Sequence, residues 1–235
     1  MTEAARTATR ADVCAAAIAD CFAGDGEILA NPIGTLPVLG ARLARELYEP
    51  RLVITDGAAM LAGDTPPLGE APRVVEGWNP YRRMFDVVWG GRRHVMMGAS
   101  QIDRYGNQNL AAIGPDPVRP KAQLIGFRGA PGNTINNPVS YWVPRHNPRV
   151  FVEKVDVVCG VGNDRAAALG PVAARYHDLR AVITDLAVLD FATPEGRMRL
   201  RSVHPQRVGR PRPQPDHVHV PELEGLFSSG SSAMT

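Results

Sequence analysis

The sequence has few of the features that mark membrane, secreted or nucleic-acid-binding proteins. No apolar run reaches the roughly 18 residues that cross a bilayer, and Met1–Asp12 is polar, without a signal-peptide core. The 26 basic and 24 acidic residues give a formal charge of +2 and are spread along the chain. Proteins that bind nucleic acid concentrate positive charge on one surface, so we expect no nucleic-acid partner. Because no apolar run is long enough to span a bilayer, we expect no membrane partner either. A cytoplasmic protein is the expectation.

Cysteine is also scarce. Cys14, Cys21 and Cys159 are odd in number and form no CxxC or CxxH pair, which argues against a disulfide framework and a zinc site. Cys159 has no histidine nearby in the sequence, which favours a buried thiol over a nucleophile. His217 and His219 form an isolated pair without a nearby third ligand. We therefore expect no metal and no redox cofactor.

The chain does have enough apolar residues for one large α/β domain: 235 residues, 44% of them hydrophobic. Val13, Ala17 and Ile18 recur at helical spacing and predict a helix over 11–23. A strand (27–34), a second helix (36–48) and a strand (51–61) follow. This alternation favours a mostly parallel open sheet with helices on both faces, and such sheets bind ligands beyond the carboxyl ends of their strands.

The rest of the chain divides into further strands and two segments outside the core. Gly and Pro predict an excursion over 62–80. Residues 1–205 are expected to form one α/β domain, and the Pro- and Ser-rich residues 206–235 a peripheral C-terminal arm or tail. Strands are predicted within 87–103, 107–114, 121–127, 149–162 and 180–191.

Three glycine-containing loops are predicted to line one cleft: 54–57, 98–106 and 128–134. Glycine allows a carbonyl or phosphate oxygen to approach backbone amides. Gly98, Ala99, Ser100 and Gln101 are therefore candidates for binding a thioester or keto oxygen. The alternative interpretation is a glycine that packs at the end of a strand.

Other polar residues near these loops have two interpretations each. Gly129, Asn133 and Asn136 are candidate anchors for a keto or carboxylate group, although Asn-rich loops also arise from left-handed turns. Tyr141 and Trp142 follow soon after and are candidates to cover an apolar ring. Asp56 either orients substrate or makes a turn before Gly57. Asp103 is expected to form a structural ion pair with the adjacent arginine. Several arginines predict a solvated face rather than a CoA-phosphate site: Arg82, Arg83, Arg92 and Arg93.

The segment GASQIDRYGNQN (98–109) resembles the GA-x-Q-x-D-x-x-G-N-x-N segment of family I CoA-transferase β subunits. RGAPGNT (128–134) stands where that family has a glycine-rich loop, and the likeness extends over about residues 12–205. The resemblance implies a CoA-transferase-like β subunit that works with an α subunit. CoA is then part of the substrate, and no separate cofactor is implied.

Transferases of this family attack the acyl-CoA with a glutamate of the β subunit. The chain departs from the family at that position. VITDGAAML (53–61) stands at the corresponding place, and Asp56, one methylene shorter, is the nearest carboxylate. Reactive geometry is sensitive to displacements of about 1 Å. The pattern is most similar to a divergent branch, the β subunit of the CoA-dependent hydrolase that opens the last rings in bacterial steroid and cholesterol breakdown.

That branch implies an α2β2 heterotetramer acting on a steroid-derived acyl-CoA. It adds water to a cyclic β-keto group and breaks a carbon-carbon bond, with the main catalytic glutamate on the α subunit. Two alternatives remain. One is a CoA-transferase β subunit of the glutaconate or 3-oxoacid type that uses Asp56; the other is a non-catalytic subunit that completes the α-subunit site.

Overall fold

The computed structural model describes residues 8–55, 60–90 and 92–205. Its α-helices are α1 (Arg10–Asp20), α2 (Thr35–Leu47), α3 (Met84–Val87), α4 (Ala130–Asn136) and α5 (Asn163–Leu169), with a 3-10 turn at Tyr81–Arg83. Its strands are β1 (Leu29–Pro32), β2 (Val53–Thr55), β3 (Met60–Ala62), β4 (Val75–Trp78), β5 (Arg93–Met97), β6 (Gln101–Ile102), β7 (Gln108–Asn109), β8 (Ala112–Ile113), β9 (Ala122–Gln123), β10 (Pro138–Val143), β11 (Asp178–Thr184), β12 (Ala187–Asp190) and β13 (Arg199–Val203).

Nine of these strands form one sheet in the order β13-β12-β11-β10-β5-β1-β2-β3-β4. The five central strands, from β11 to β2, pair in parallel. Antiparallel strands complete both edges, with β12 and β13 on one side and β3 and β4 on the other. The predicted α/β class, with a mostly parallel open sheet, is therefore confirmed.

Helices α1 and α2 cover one face of the sheet. A capping box starts α1, in which Thr9 N–H donates to the Asp12 carboxylate at 2.7 Å and the Thr9 hydroxyl accepts from the Asp12 amide. Gly40 permits close helix contact, since a Cβ there would lie 2.2 Å from Ile18 Cγ2. Ile18 and Phe22 pack against Met96 in this half of the core.

The other face carries a second core and the longer connections. Val95, Met97, Val139 and Tyr141 point to this face, and Ala130 of α4 packs against them. The two faces follow from strand geometry, because successive side chains of β5 and β10 alternate between them. Helices thus cover both faces, as the sequence predicts.

Two local predictions are wrong and a third is incomplete. The apolar stretch 149–162 is irregular and makes only the isolated bridges Ile102–Phe151 and Gln108–Gly160. The excursion 62–80 lies outside both cores as predicted, but it contains β4, an exposed edge strand. The glycine-rich segment 128–134 is mostly helix α4, since proline suits the first helical turn. Within the part of the chain that the structure describes, no helix has the length and hydropathy of a membrane span.

Candidate functional site

The candidate site lies where the chain reverses its direction of travel across the sheet. From β1 the chain passes through α2 to β2 on one side, whereas β5, β10 and β11 follow on the other. Neighbouring loops leave such a switch point in opposite directions and open a crevice beyond the strand ends. Here the crevice lies between Ile33–Gly34, after β1, and Gly98–Ser100, after β5.

Helix α2 starts at this crevice. Its N-cap is Gly34, with a φ of 112°, a left-handed value that glycine adopts readily. No side chain caps the helix, and Ile33 N–H donates to Met96 O at 3.0 Å, which holds the β1 end against β5. The positive end of the helix dipole therefore adjoins the crevice, which favours negative charge there.

Of the predicted cleft residues, Gly98, Ala99 and Ser100 are half-buried beside the crevice. The Gly98 carbonyl accepts from the Gln108 side chain, and the Ser100 amide donates to Asn109 O at 3.0 Å. Gln101 is buried and binds Asp156 through both its amide atoms. The loop is thus held rigid by the residues that follow it in the motif.

The GASQIDRYGNQN motif forms a buried polar network. The Asp103 carboxylate accepts from the Tyr105 amide at 2.9 Å, and from the amide and side chain of Asn107. Asn107 also donates to Asp164 at 2.9 Å and accepts from the Gly162 amide at 2.8 Å. These bonds join the 98–109 loop to the start of α5.

The expected ion pair between Asp103 and its neighbour is wrong. Arg104 instead lies 3.8 Å from Glu153, while Asp103 turns inward to backbone amides. Burial raises the pKa of Asp103, although the bonds from Asn107 and Tyr105 act in the opposite direction. Asp103 therefore organises the turn through hydrogen bonds.

The predicted anchors Gly129, Asn133 and Asn136 lie on or beside α4. Gly129 is the N-cap, and Asn136 donates to Gly132 O at 3.2 Å within the helix. Asn133 is buried, with its side-chain oxygen on Arg93 and its nitrogen 3.6 Å from Met97 Sδ. Asn133 thus contacts Met97, the last residue of β5, which directly precedes Gly98 in the sequence.

The two aromatic residues expected to cover an apolar ring do not face one cavity. Tyr141 and Trp142 are adjacent in β10 and pack in the cores on opposite faces of the sheet. The Tyr141 hydroxyl donates to Gly106 O at 3.3 Å. Both aromatics are therefore structural in this chain.

Asp56 falls in 56–59, which lie outside the described residues; so do His217 and His219. An open cavity of about 570 Å³ borders the carboxyl end of β2, which immediately precedes Asp56. Ligand sites commonly have volumes of roughly 300–1,000 Å³. Its lining comes from α2, β2, β3, β4 and the loop 64–72, and includes Val38, Arg42, Ile54, Thr55, Met60 and Val75.

The predicted solvated face is wrong for Arg93, and sequence reasoning missed Asn31. Arg82, Arg83 and Arg92 are exposed as predicted, but Arg93 is only 5% exposed. Its guanidinium donates to Asn133 Oδ1 at 2.8 Å and to Asn31 Oδ1. Burial lowers the pKa of Arg93 to about 10, so it remains a cation at neutral pH. The sequence signal that could have indicated its burial is its position directly before the apolar run HVMM.

A Ser-His-Asp arrangement lies on the opposite face of the sheet. His94 Nδ1 is 2.6 Å from the Asp25 carboxylate, and Nε2 is 3.0 Å from Ser140 Oγ. Arg180 already binds Asp25, and burial lowers the pKa of His94, which keeps the imidazole neutral. Ser140 and His94 are fully buried, and Phe22 packs on the imidazole. This arrangement supports the fold rather than a nucleophile, because no substrate reaches it.

Large apolar side chains are exposed along β3, β4 and α3. Their exposures lie between 41% and 74%, and the set comprises Met60, Val74, Val75, Trp78, Tyr81, Phe85 and Trp89. Clustered exposure of this kind marks an interaction surface. Within 8–55, 60–90 and 92–205, no group of three or more His, Cys, Asp or Glu side chains is placed to hold a metal ion.

The sheet with its switch point matches solved CoA-transferase structures. The family model for coenzyme A transferase matches residues 84–208, and the chain belongs to this family. The resemblance drawn from GASQIDRYGNQN is therefore confirmed.

Within the family, the chain is 54% identical over 205 residues to the cholesterol ring-cleaving hydrolase IpdB subunit of Rhodococcus jostii strain RHA1. That alignment covers 87% of this chain and 80% of the relative. The crystal structure of Rhodococcus jostii RHA1 IpdAB matches with a TM-score of 0.80 and 54% identity, covering 85% of this chain and 79% of that one. Glutaconate coenzyme A-transferase from Acidaminococcus fermentans matches with a TM-score of 0.66 and 26% identity, covering 82% and 78%.

Proposed function

We propose that this chain is the β subunit of a CoA-dependent hydrolase that cleaves a ring carbon-carbon bond of a steroid-derived, cyclic β-keto acyl-CoA. Its 54% identity to the IpdB subunit, over 80% of that protein, supports the substrate class. The observation that carries the proposal is the switch-point crevice: the residues bordering it, 33–34 and 98–100, include no carboxylate. In this proposal the crevice holds the acyl group, and the base comes from elsewhere.

The reaction needs a base and groups that stabilise the developing negative charge. A base removes a proton from water, and the oxygen adds to one ring carbonyl carbon. The bond between that carbon and its neighbour then breaks, and its electron pair forms an enolate on the second carbonyl, which takes a proton. The product carries a new carboxylate. This chain contributes the helix dipole of α2 and the rigid Gly98–Ser100 loop beside the developing negative charge.

An α subunit supplies the base in this proposal. The exposed apolar surface on β3, β4 and α3 supports a protein partner, because a free chain rarely exposes so many aromatic side chains together. We propose an α2β2 assembly, in which each α chain completes one crevice, and a cytoplasmic location. No separate cofactor is part of this mechanism, because CoA belongs to the substrate.

The test uses the chain co-expressed with its α subunit. Incubation with a ring-bearing β-keto acyl-CoA in ¹⁸O-labelled water should place label in a new carboxylate and leave CoA on the product. Light scattering should give a mass of two α and two β chains. Transfer of CoA to an added carboxylate, with ping-pong kinetics, would instead establish a transferase.

A further inference from the structure

Arg93 is a buried cation without a carboxylate partner in the described part of the chain. The ion pairs found there involve other arginines and His94. Its two partners, Asn31 and Asn133, are neutral carboxamides that are themselves buried. Buried charges in proteins are normally paired, because removing an ion from water is unfavourable. An unpaired buried arginine therefore indicates an anion that binds to it.

The hydrogen bonds around Arg93 leave two donors unused. Arginine only donates, so the carboxamide oxygens of Asn31 and Asn133 must point to the guanidinium. That orientation turns the Asn31 nitrogen away from Arg93. Arg93 Nε and Asn31 Nδ2 are both buried and have no hydrogen-bond partner in the protein. Both orphan groups are donors, so the missing partner is an acceptor.

These donors lie beneath the switch-point crevice, among the side chains of β1, β5 and α4. Asn31 is the next-to-last residue of β1 and pairs with Val95 of β5. Asn133, on the far side of the guanidinium, contacts Met97, the residue before Gly98. Arg93 begins β5, level with Leu29 of β1, and its guanidinium lies between Asn31 of β1 and Asn133 of α4, below the strand ends that form the crevice. Because both donor atoms are covered in the free chain, a ligand oxygen must open the crevice slightly to reach them.

We propose that Arg93 and Asn31 form a subsite for an anionic oxygen on the acyl group of the bound CoA thioester. In the reaction proposed above, on which this identification rests, the oxygen belongs to the carboxylate that ring opening creates. A carboxylate accepts from Nε of Arg93 and Nδ2 of Asn31 together and neutralises the buried charge. Asn133 positions the guanidinium from the other side.

The binding test uses the αβ complex and matched CoA thioesters. Glutaryl-, adipoyl- and pimeloyl-CoA are compared by calorimetry with pentanoyl-, hexanoyl- and heptanoyl-CoA, which lack the terminal carboxylate. The wild-type complex should bind at least one carboxylate thioester about tenfold more tightly than its uncharged match, as one charge-assisted contact provides. Arg93→Gln should remove this preference. Arg92→Gln, at the exposed neighbouring position, should retain it.

Asn31→Asp is the second variant and covers the case in which Arg93→Gln does not fold. It places a carboxylate of the same shape beside Arg93, so it should raise the thermal midpoint and abolish the preference. Equal binding of both thioester series by the wild type, or a preference that survives Asn31→Asp, overturns the subsite. A preference lost in both variants, in a complex that does not cleave rings, leaves the subsite established and rejects ring cleavage.

Discussion

Asp56 is the residue that we expect to stand nearest the position from which related transferases attack the acyl group with a glutamate. If it orients substrate or forms a turn, Asp56→Asn keeps its shape and one acceptor oxygen. Ring-cleaving activity of the complex should then fall by only about ten- to a hundredfold, the effect of one charged hydrogen bond. Steady-state kinetics measures this loss.

The matched control for Asp56 is Asp116→Asn. Asp116 is an exposed turn carboxylate that accepts from the Val118 amide at 2.8 Å, and its replacement should leave activity unchanged. Loss of several orders of magnitude in Asp56→Asn, with normal assembly, would show that Asp56 is the nucleophile. Appreciable CoA transfer by Asp56→Glu would lead to the same conclusion, whereas we expect none.

At the scale of elements, the β6–β7 hairpin holds the crevice loop in place through Gly106. Gly106 has a φ of 84°, and a Cβ there would lie 2.6 Å from Leu179 Cδ1 and 2.9 Å from Phe191 Cζ. Gly106→Ala combines backbone strain with overpacking and should destabilise the complex by about 2–4 kcal/mol. Urea unfolding measures the change.

Gly170→Ala separates the two contributions. Gly170 has nearly the same φ, 83°, but open space around its Cβ position, so only the backbone strain applies, about 1–2 kcal/mol. We expect Gly106→Ala to be the more destabilising variant and to lower ring-cleaving activity as well. Equal unfolding free energies for the two variants would contradict the packing role of Gly106.

At the scale of the whole molecule, buried histidines predict sensitivity to acid. Burial lowers the pKa of all four histidines in the described part of the chain: His94, His146, His177 and His204. The folded chain therefore binds fewer protons than the unfolded chain in mild acid. Their contribution to stability is complete above about pH 6.5 and is lost as the pH falls through the folded-state pKa values.

The thermal midpoint of the complex should therefore decrease from pH 7 to pH 5. We expect it to fall by about 2–4 °C for each 1 kcal/mol by which the free energy of unfolding decreases. The raised pKa of Asp103 acts in the opposite direction, at pH values above its ordinary pKa of 3.8, but it is one carboxyl group against four histidines. His94→Gln, which does not titrate, should lower stability at every pH but reduce the slope. A midpoint that rises toward pH 5 would contradict this account.

Local patterns were sufficient for much of the fold. Val13, Ala17 and Ile18 predicted α1, and the alternation of helices with apolar strands predicted the parallel sheet. The GASQIDRYGNQN motif identified the family, because its turn needs Gly106 and its hydrogen bonds need Asp103 and Asn107. Such requirements involve residues close in sequence and are therefore visible without a structure.

Local patterns failed where distant segments meet. The stretch 149–162 has the apolar content of a strand, but it buries Phe151, Val155 and Cys159 without joining the main sheet. Residues 128–134 were predicted as a loop, yet packing against β10 and β11 stabilises α4 there. Whether each segment became a strand, a helix or a loop depended on which surface of the sheet it covers. The propensities of neighbouring residues carry no information about that surface.

The sequence by itself determined the class of the sheet and the polar turn after β5, since each is a property of neighbouring residues. Only the tertiary structure decided that Arg93 is buried and that Asn31 and Asn133 accept its hydrogen bonds. Strand order brings together residues about 60 and 40 positions away from Arg93. Burial and charge pairing depend on that order, because they arise from contacts in space.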